Sequence, residues 1–221
     1  MDAVILFEDN HILVAVKPQN MPSQADASGD PDFLSELKRY IKQKYNKPGE
    51  AYLGLVHRLD RPTGGVMVFA RTSKAAARLS GQLKTGEMHK TYAAIISADI
   101  PTAMQLTDYL KKDPKTNTSA VVSLDTPGAK QAALQYETVQ KANGYALLSV
   151  QLQTGRSHQI RVQLAHIGAP LVGDVRYRGQ PCEKLCLLAH TLGFIHPTTK
   201  EALSFSAPFP AYAPWNLFGQ S

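Results

Sequence analysis

The chain has 221 residues, 43% hydrophobic and 19% charged, with a net charge of +6. That is apolar enough for a substantial core and too mixed for a disordered polyelectrolyte, and no apolar run approaches the ~18 residues that a membrane-spanning helix needs. Two cysteines, Cys182 and Cys186, and seven histidines without ligand spacing exclude a disulfide scaffold and a four-ligand zinc site.

The N-terminal region is acidic at Asp2, Glu8 and Asp9 and its apolar run is short, unlike a secretory signal, so a cytoplasmic location is expected. Val4 to Phe7 and Ile12 to Val16 flank a polar turn and read as a β-hairpin. Residues 17–31, rich in Pro, Gln, Ser, Asp and Gly, read as a loop. From Asp32 to Ile41 apolar residues recur three and four apart, as on an amphipathic helix that Pro48-Gly49 would end. Two extended segments, 52–56 and 66–70, bracket a polar turn. Residues 73–84 form a predicted helix, with Thr72 or Ser73 as cap and Gly86 closing it. A strand around Tyr92 follows. Residues 107–137 hold short extended pieces (120–124 and 134–139) between turn signals, a hairpin-rich region suited to gripping RNA. Residues 146–153 read as another strand, and 157–165 as a helix with Ile160, Leu164 and Ile167 on one face, stopped by Gly168. Many strands and few helices predict an α+β fold on a large, mostly antiparallel sheet. No linker or fixed-period repeat interrupts the chain, so residues 1–221 are expected to form one domain.

The turn carries the most chemistry. In His57-Arg58-Leu59-Asp60-Arg61-Pro62-Thr63-Gly64-Gly65 a carboxylate sits between two arginines. Guanidinium groups favour the ionised form of a buried acid, which suits a nucleophile or a stabiliser of a cationic intermediate. The positive net charge favours a polyanionic partner, because neutralised phosphates release counterions. Basic residues gather in two places, Lys38, Arg39, Lys42, Lys44 and Lys47, and Lys111, Lys112, Lys115 and Lys130. For each cluster a solvated face is as good a reading as RNA contact.

His57-Arg58-Leu59-Asp60 followed by Thr63 and Gly64 resembles the signature of the RluA-type pseudouridine synthases. Further segments agree in order: Asp9 to Pro18, Lys90-Thr91-Tyr92, Thr154 to His166 with Gly168, Pro170 and Gly173-Asp174, and finally Leu188-Ala189-His190 with Phe205 to Pro208. The chain departs from the pattern at Gly64, where the family usually has Ser. The resemblance implies a mixed sheet with flanking helices and a central active-site cleft. It implies a cofactor-free and metal-free isomerase that converts specific uridines of tRNA or rRNA to pseudouridine after flipping the base out of its stack. The family's S4-type module is expected to be absent, and one chain is expected to suffice as a monomer.

By the same resemblance Asp60 is the essential carboxylate. Tyr92 packs against the base and takes part in removing the proton from carbon 5. Arg161 pairs with the aspartate. Ile160 lines the base pocket, with plain core packing as the other reading, and Arg58 fills the gap that the flipped base leaves or binds a phosphate. Arg156 and His158, at the start of a helix, are candidate RNA backbone contacts. Lys17, His57, Asp174 and His190 are expected to be structural or peripheral, with Asp174 capping a turn. Two other classes compete: an RNA-binding chaperone that keeps the fold without the isomerisation, and a glycosidase, for which a second catalytic acid is missing.

Overall fold

The computed structural model of the protein describes residues 3–46 and 48–219, so Asp2 and Lys47 lie outside the described residues. Among the described residues three α-helices and eleven β-strands make up an α+β fold with a large, mostly antiparallel sheet, as the strand-rich pattern predicts. The chain divides into two compact units, Met1–Lys90 with Ala189–Ala207, and Thr91–Leu188 with Pro208–Ser221. Among the described residues no helix is long and apolar enough to cross a membrane.

The first unit opens with the predicted hairpin, β1 (Val4–Glu8) and β2 (Ile12–Lys17). Asp9 shapes its turn by accepting the backbone N–H of His11 and Ile12, both at 2.7 Å. β2 pairs antiparallel with β4 (Gly64–Ala70), and every residue of β4 is buried, the unbroken apolar run of a central strand. β4 also neighbours β10 (Leu187–Ile195), on which β11 (Ala202–Ser206) forms the next antiparallel strand. α1 (Phe33–Lys44) starts at Asp32, whose carboxylate accepts the N–H of Ser35 at 3.0 Å. It buries Phe33, Leu37 and Ile41, spaced by four, and the ring of Phe33 meets Phe69 edge-on. Each such burial is worth about 1.5–3 kcal/mol. α1 stops ahead of Pro48, where Asn46 turns to a φ of 47°. α2 (Ser73–Thr85) is capped by Thr72 and closed by Gly86 in the left-handed region, as predicted.

The lead-in to the turn is shorter than its sequence suggests. Of residues 52–56, only β3 (Gly54–Leu55) pairs with β4. The His57 ring takes the next N–H, that of Val68, onto Nε2 at 3.2 Å, and the ladder ends there.

In the second unit, β5 (His89–Ile96), β9 (Tyr145–Leu152), β8 (Lys130–Ala142), β6 (Ala103–Asp113) and β7 (Thr118–Val122) are neighbours in that order, and from Thr91 onward each pairing is antiparallel. β6 and β8 are far longer than the short pieces expected from residues 107–137. α3 (Gln159–His166) packs against β6, β7 and a 3-10 turn at Val175–Tyr177. The one-faced helix read from Ile160, Leu164 and Ile167 is instead buried along its whole first turn and a half, Gln159 to Leu164. Its polar side chains therefore need partners, and they have them. Gln159 donates to Ala133 O and Gln163 to Asp108 and Ala132 O.

Candidate active site

Asp60 sits in the connection between β3 and β4, and that connection is held mainly through its main chain. Ser23 Oγ accepts the N–H of Leu59 at 3.0 Å and donates to its carbonyl at 2.8 Å. Lys17 Nζ donates to Arg61 O at 3.2 Å, and Gln19 Nε2 to Pro62 O at 3.2 Å. Thr63 N closes the turn on Asp60 O at 2.9 Å. Arg61 reaches Asn20 O and the carboxylate of Asp30. Part of the polar loop after β2 thus serves as a cradle for the aspartate turn, a role its composition did not reveal.

Lys17 is the central element of that cradle. It is fully buried, and its ammonium also donates to Met21 O at 2.6 Å and Pro18 O at 2.9 Å. Burial pulls its pKa down to about 7, against the favourable charge of Asp60. Its three carbonyl acceptors call for three N–H donors, which only the charged form supplies. His57, also buried, is driven to a pKa of about 3 by desolvation and by the charge of Lys90. Neutral, with Nε2 accepting from Val68, it carries its proton on Nδ1, which has no hydrogen-bond partner. Both residues are interior supports.

At Gly64 the missing hydroxyl is answered by Gln19. A Cβ on Gly64 would lie 2.9 Å from Gln19 Cγ and 3.2 Å from Lys17 O, so the stem of the side chain that tethers Pro62 takes up the room a serine would need.

Arg161, in the second unit, projects from α3 and is 5% exposed. Its Nε and Nη2 each lie 2.7 Å from a different oxygen of Asp174, the bidentate geometry that orients a guanidinium. Asp174 also accepts the N–H of Tyr177, the turn-capping role expected of it, at 3.3 Å. The Tyr177 ring lies under the Arg161 guanidinium, 5.1 Å from centroid to Cζ. Its hydroxyl binds His158 Nδ1 at 2.9 Å. Neither the Arg161–Asp174 pair nor Tyr177 was identified from the sequence. The dense Gly173-Asp174-Val175-Arg176-Tyr177 segment following the helix was the available signal.

The remaining residues fall as follows. Tyr92 is on β5 opposite Val150 and is 8% exposed. Ile160 is buried on α3 beside Arg161, His158 is buried at the N-cap with a φ of 55°, and Arg156 is exposed and donates to Gln131 O. Arg58 is exposed and Asp60 half-buried on the turn. Of the first basic cluster, Arg39 pairs with Glu36, Lys42 with Glu50 and Lys44 with Glu8, which favours a solvated face. In the second, no ion pair engages Lys111, Lys112, Lys115 or Lys130 among the described residues, and all four are exposed. No group of three or more His, Cys, Asp or Glu side chains among the described residues is placed to hold a metal ion.

Residues 11–166 match the family described as RNA pseudouridylate synthase. A ribosomal large subunit pseudouridine synthase D of Xanthomonas campestris is 31% identical over 222 aligned residues, covering 93% of this chain and 66% of that protein. An uncharacterized RNA pseudouridine synthase of Bacillus subtilis, YhcT, is 36% identical, with 94% and 68% covered. The chain thus spans about two thirds of the length of these relatives. Among solved structures, human RNA pseudouridylate synthase domain containing 4 shares the fold, with a TM-score of 0.80 at 24% identity over 97% of this chain and 92% of that one.

Proposed function

Because the chain belongs to the RNA pseudouridylate synthase family, we propose that it isomerises specific uridines of structured RNA, ribosomal or transfer, to pseudouridine. The observation that carries this reading is Asp60 itself. It is a carboxylate inside the matched span, on a turn whose backbone is tethered from Ser23, Lys17 and Gln19. A reaction that breaks the glycosidic bond, turns the base and rejoins it through carbon 5 needs an ionised acid held at a fixed place near the anomeric carbon.

In this reading the target base leaves its stack. Asp60 acts on the sugar or the base, or assists a glycal. Tyr92 and Ile160 contact the base, and Tyr92 takes part in removing the carbon-5 proton. Arg161 is the arginine that the family resemblance pairs with the aspartate, its plane set by Asp174. Arg58, exposed on the turn, fills the vacated stack, and Arg156 meets the RNA backbone. The names of the ribosomal large-subunit relatives favour ribosomal RNA as the first class to test.

Mapping pseudouridines across total RNA from a strain without the gene, restored with wild type or with Asp60→Ala, tests the proposal. A site should vanish with the gene, return with wild type and stay absent with Asp60→Ala. A site restored equally by both proteins would refute the assignment of Asp60, and a map unchanged by loss of the gene would refute the activity.

A further inference from the structure

Four elements of the second unit, β6, β7, β8 and α3, converge on Tyr177. Its hydroxyl accepts the N–H of Ser119 on β7 at 2.8 Å and donates to the Ser119 carbonyl at 3.1 Å. The same oxygen meets His158 Nδ1, at the start of α3, at 2.9 Å. A phenol has one proton and two lone pairs, so all three contacts are satisfied together only when His158 carries its proton on Nδ1. The ring packs with Leu110, Ala132 and Val162 and lies under Arg161. A parallel tether runs from Ser119 Oγ to Ser157 O at 2.8 Å.

Ser119 belongs to the β6–β7 hairpin, directly opposite Lys112 in the register, and the hairpin carries Lys111, Lys112 and Lys115, exposed and in no ion pair among the described residues. Arg176, next to Tyr177, donates to Asn117 O in the hairpin's turn. The hairpin is thus bonded to the segment that orients Arg161, not simply laid beside it.

We propose that Tyr177 is a positioning residue that couples RNA contact on the β6–β7 hairpin to the placement of His158 and Arg161 on α3. This rests on the proposed isomerase function for the identity of the ligand. Phosphates drawn to the hairpin lysines fix β7, β7 fixes the Tyr177 hydroxyl through both backbone atoms of Ser119, and Tyr177 fixes the first turn of α3. Binding energy from a remote part of the RNA is thereby spent on orientation at the reacting centre.

The test uses total RNA from a strain lacking the gene, labelled with tritium at carbon 5 of uracil. Tyr177→Phe removes only the hydroxyl. The single-turnover rate of tritium release should fall about ten- to hundredfold, with RNA affinity within about twofold of wild type. Lys111→Ala/Lys112→Ala should weaken RNA binding in both backgrounds but slow release only where Tyr177 is intact. Ser119→Ala, which cuts the parallel tether alone, should move the rate in the same direction by less. Hydrogen exchange provides a readout independent of turnover. Added RNA should slow exchange in residues 111–118 and 159–166 of wild type, and only in 111–118 of Tyr177→Phe. Equal protection of α3 in both proteins, no protection of the hairpin, or strictly additive effects of the lysine and tyrosine changes would each overturn the coupling. If wild type released no tritium, the isomerase reading would fail, and the exchange data would still decide whether Tyr177 links the two segments.

Discussion

Arg161 and Asp174 meet fork to fork, 2.7 Å apart at both contacts, with 6% and 0% of their side chains exposed. The pair uses two of the five guanidinium donors and fixes the plane in which the rest point. The arginine that the family resemblance assigns to the reaction is therefore aimed by a second acid thirteen residues further along.

Removing that acid leaves a buried charge without its main orienting partner. Asp174→Ala should cost about 3 kcal/mol of stability or more, read as a lower urea midpoint at unchanged slope. An unshifted midpoint would mean that the pair contributes no net stability.

Acid should weaken the first unit through His57. Its folded pKa of about 3 lies below the ordinary 6.5, so between these values the unfolded chain binds a proton that the folded chain refuses. Its contribution is present in full above pH 6.5 and is lost as pH falls towards 3, by up to about 1.4 kcal/mol per pH unit. His57→Gln, which keeps an acceptor for Val68 N, should flatten that part of a stability-against-pH curve from urea unfolding. An equally steep curve in the variant would assign the acid sensitivity elsewhere.

The paired glycines of the turn should respond very differently. Gly64→Ser must shift the Gln19 stem and crowds the Lys17 carbonyl, and a loss of about 1 kcal/mol is expected. Gly65→Ala places its Cβ 2.2 Å from the Ala189 carbonyl oxygen at a φ of +126°, in a region closed to other residues. It should fail to fold or lose several kcal/mol, as thermal unfolding of the two variants will show. Similar midpoints would contradict the close approach of β4 and β10.

The sequence made α1, α2 and the Asp60 turn legible because each announces itself locally, through Asp32, Thr72 and Gly86, and Pro62 with two glycines. It did not make β6 legible. Along that strand only Leu106 and Leu110 are buried, a spacing of four that hides the period of two. The inward position between them belongs to Asp108, whose partner Gln163 is 55 residues away. α3 was misread for a related reason. Gln159, Arg161 and Gln163 break the apolar pattern on both sides of the helix and hide its burial until Ala133, Asp174 and Asp108 are supplied to them. Polar residues satisfied at long range mimic a surface, and local pattern cannot distinguish the two.

Most clamps on the Asp60 turn grip peptide groups: both polar atoms of Leu59, and the carbonyls of Arg61 and Pro62. Peptide groups are the same whatever side chain they carry. The exposed position at Arg58 can therefore change its chemistry without moving the carboxylate two residues away, so that, under the proposed function, RNA preference and reaction geometry are free to vary separately.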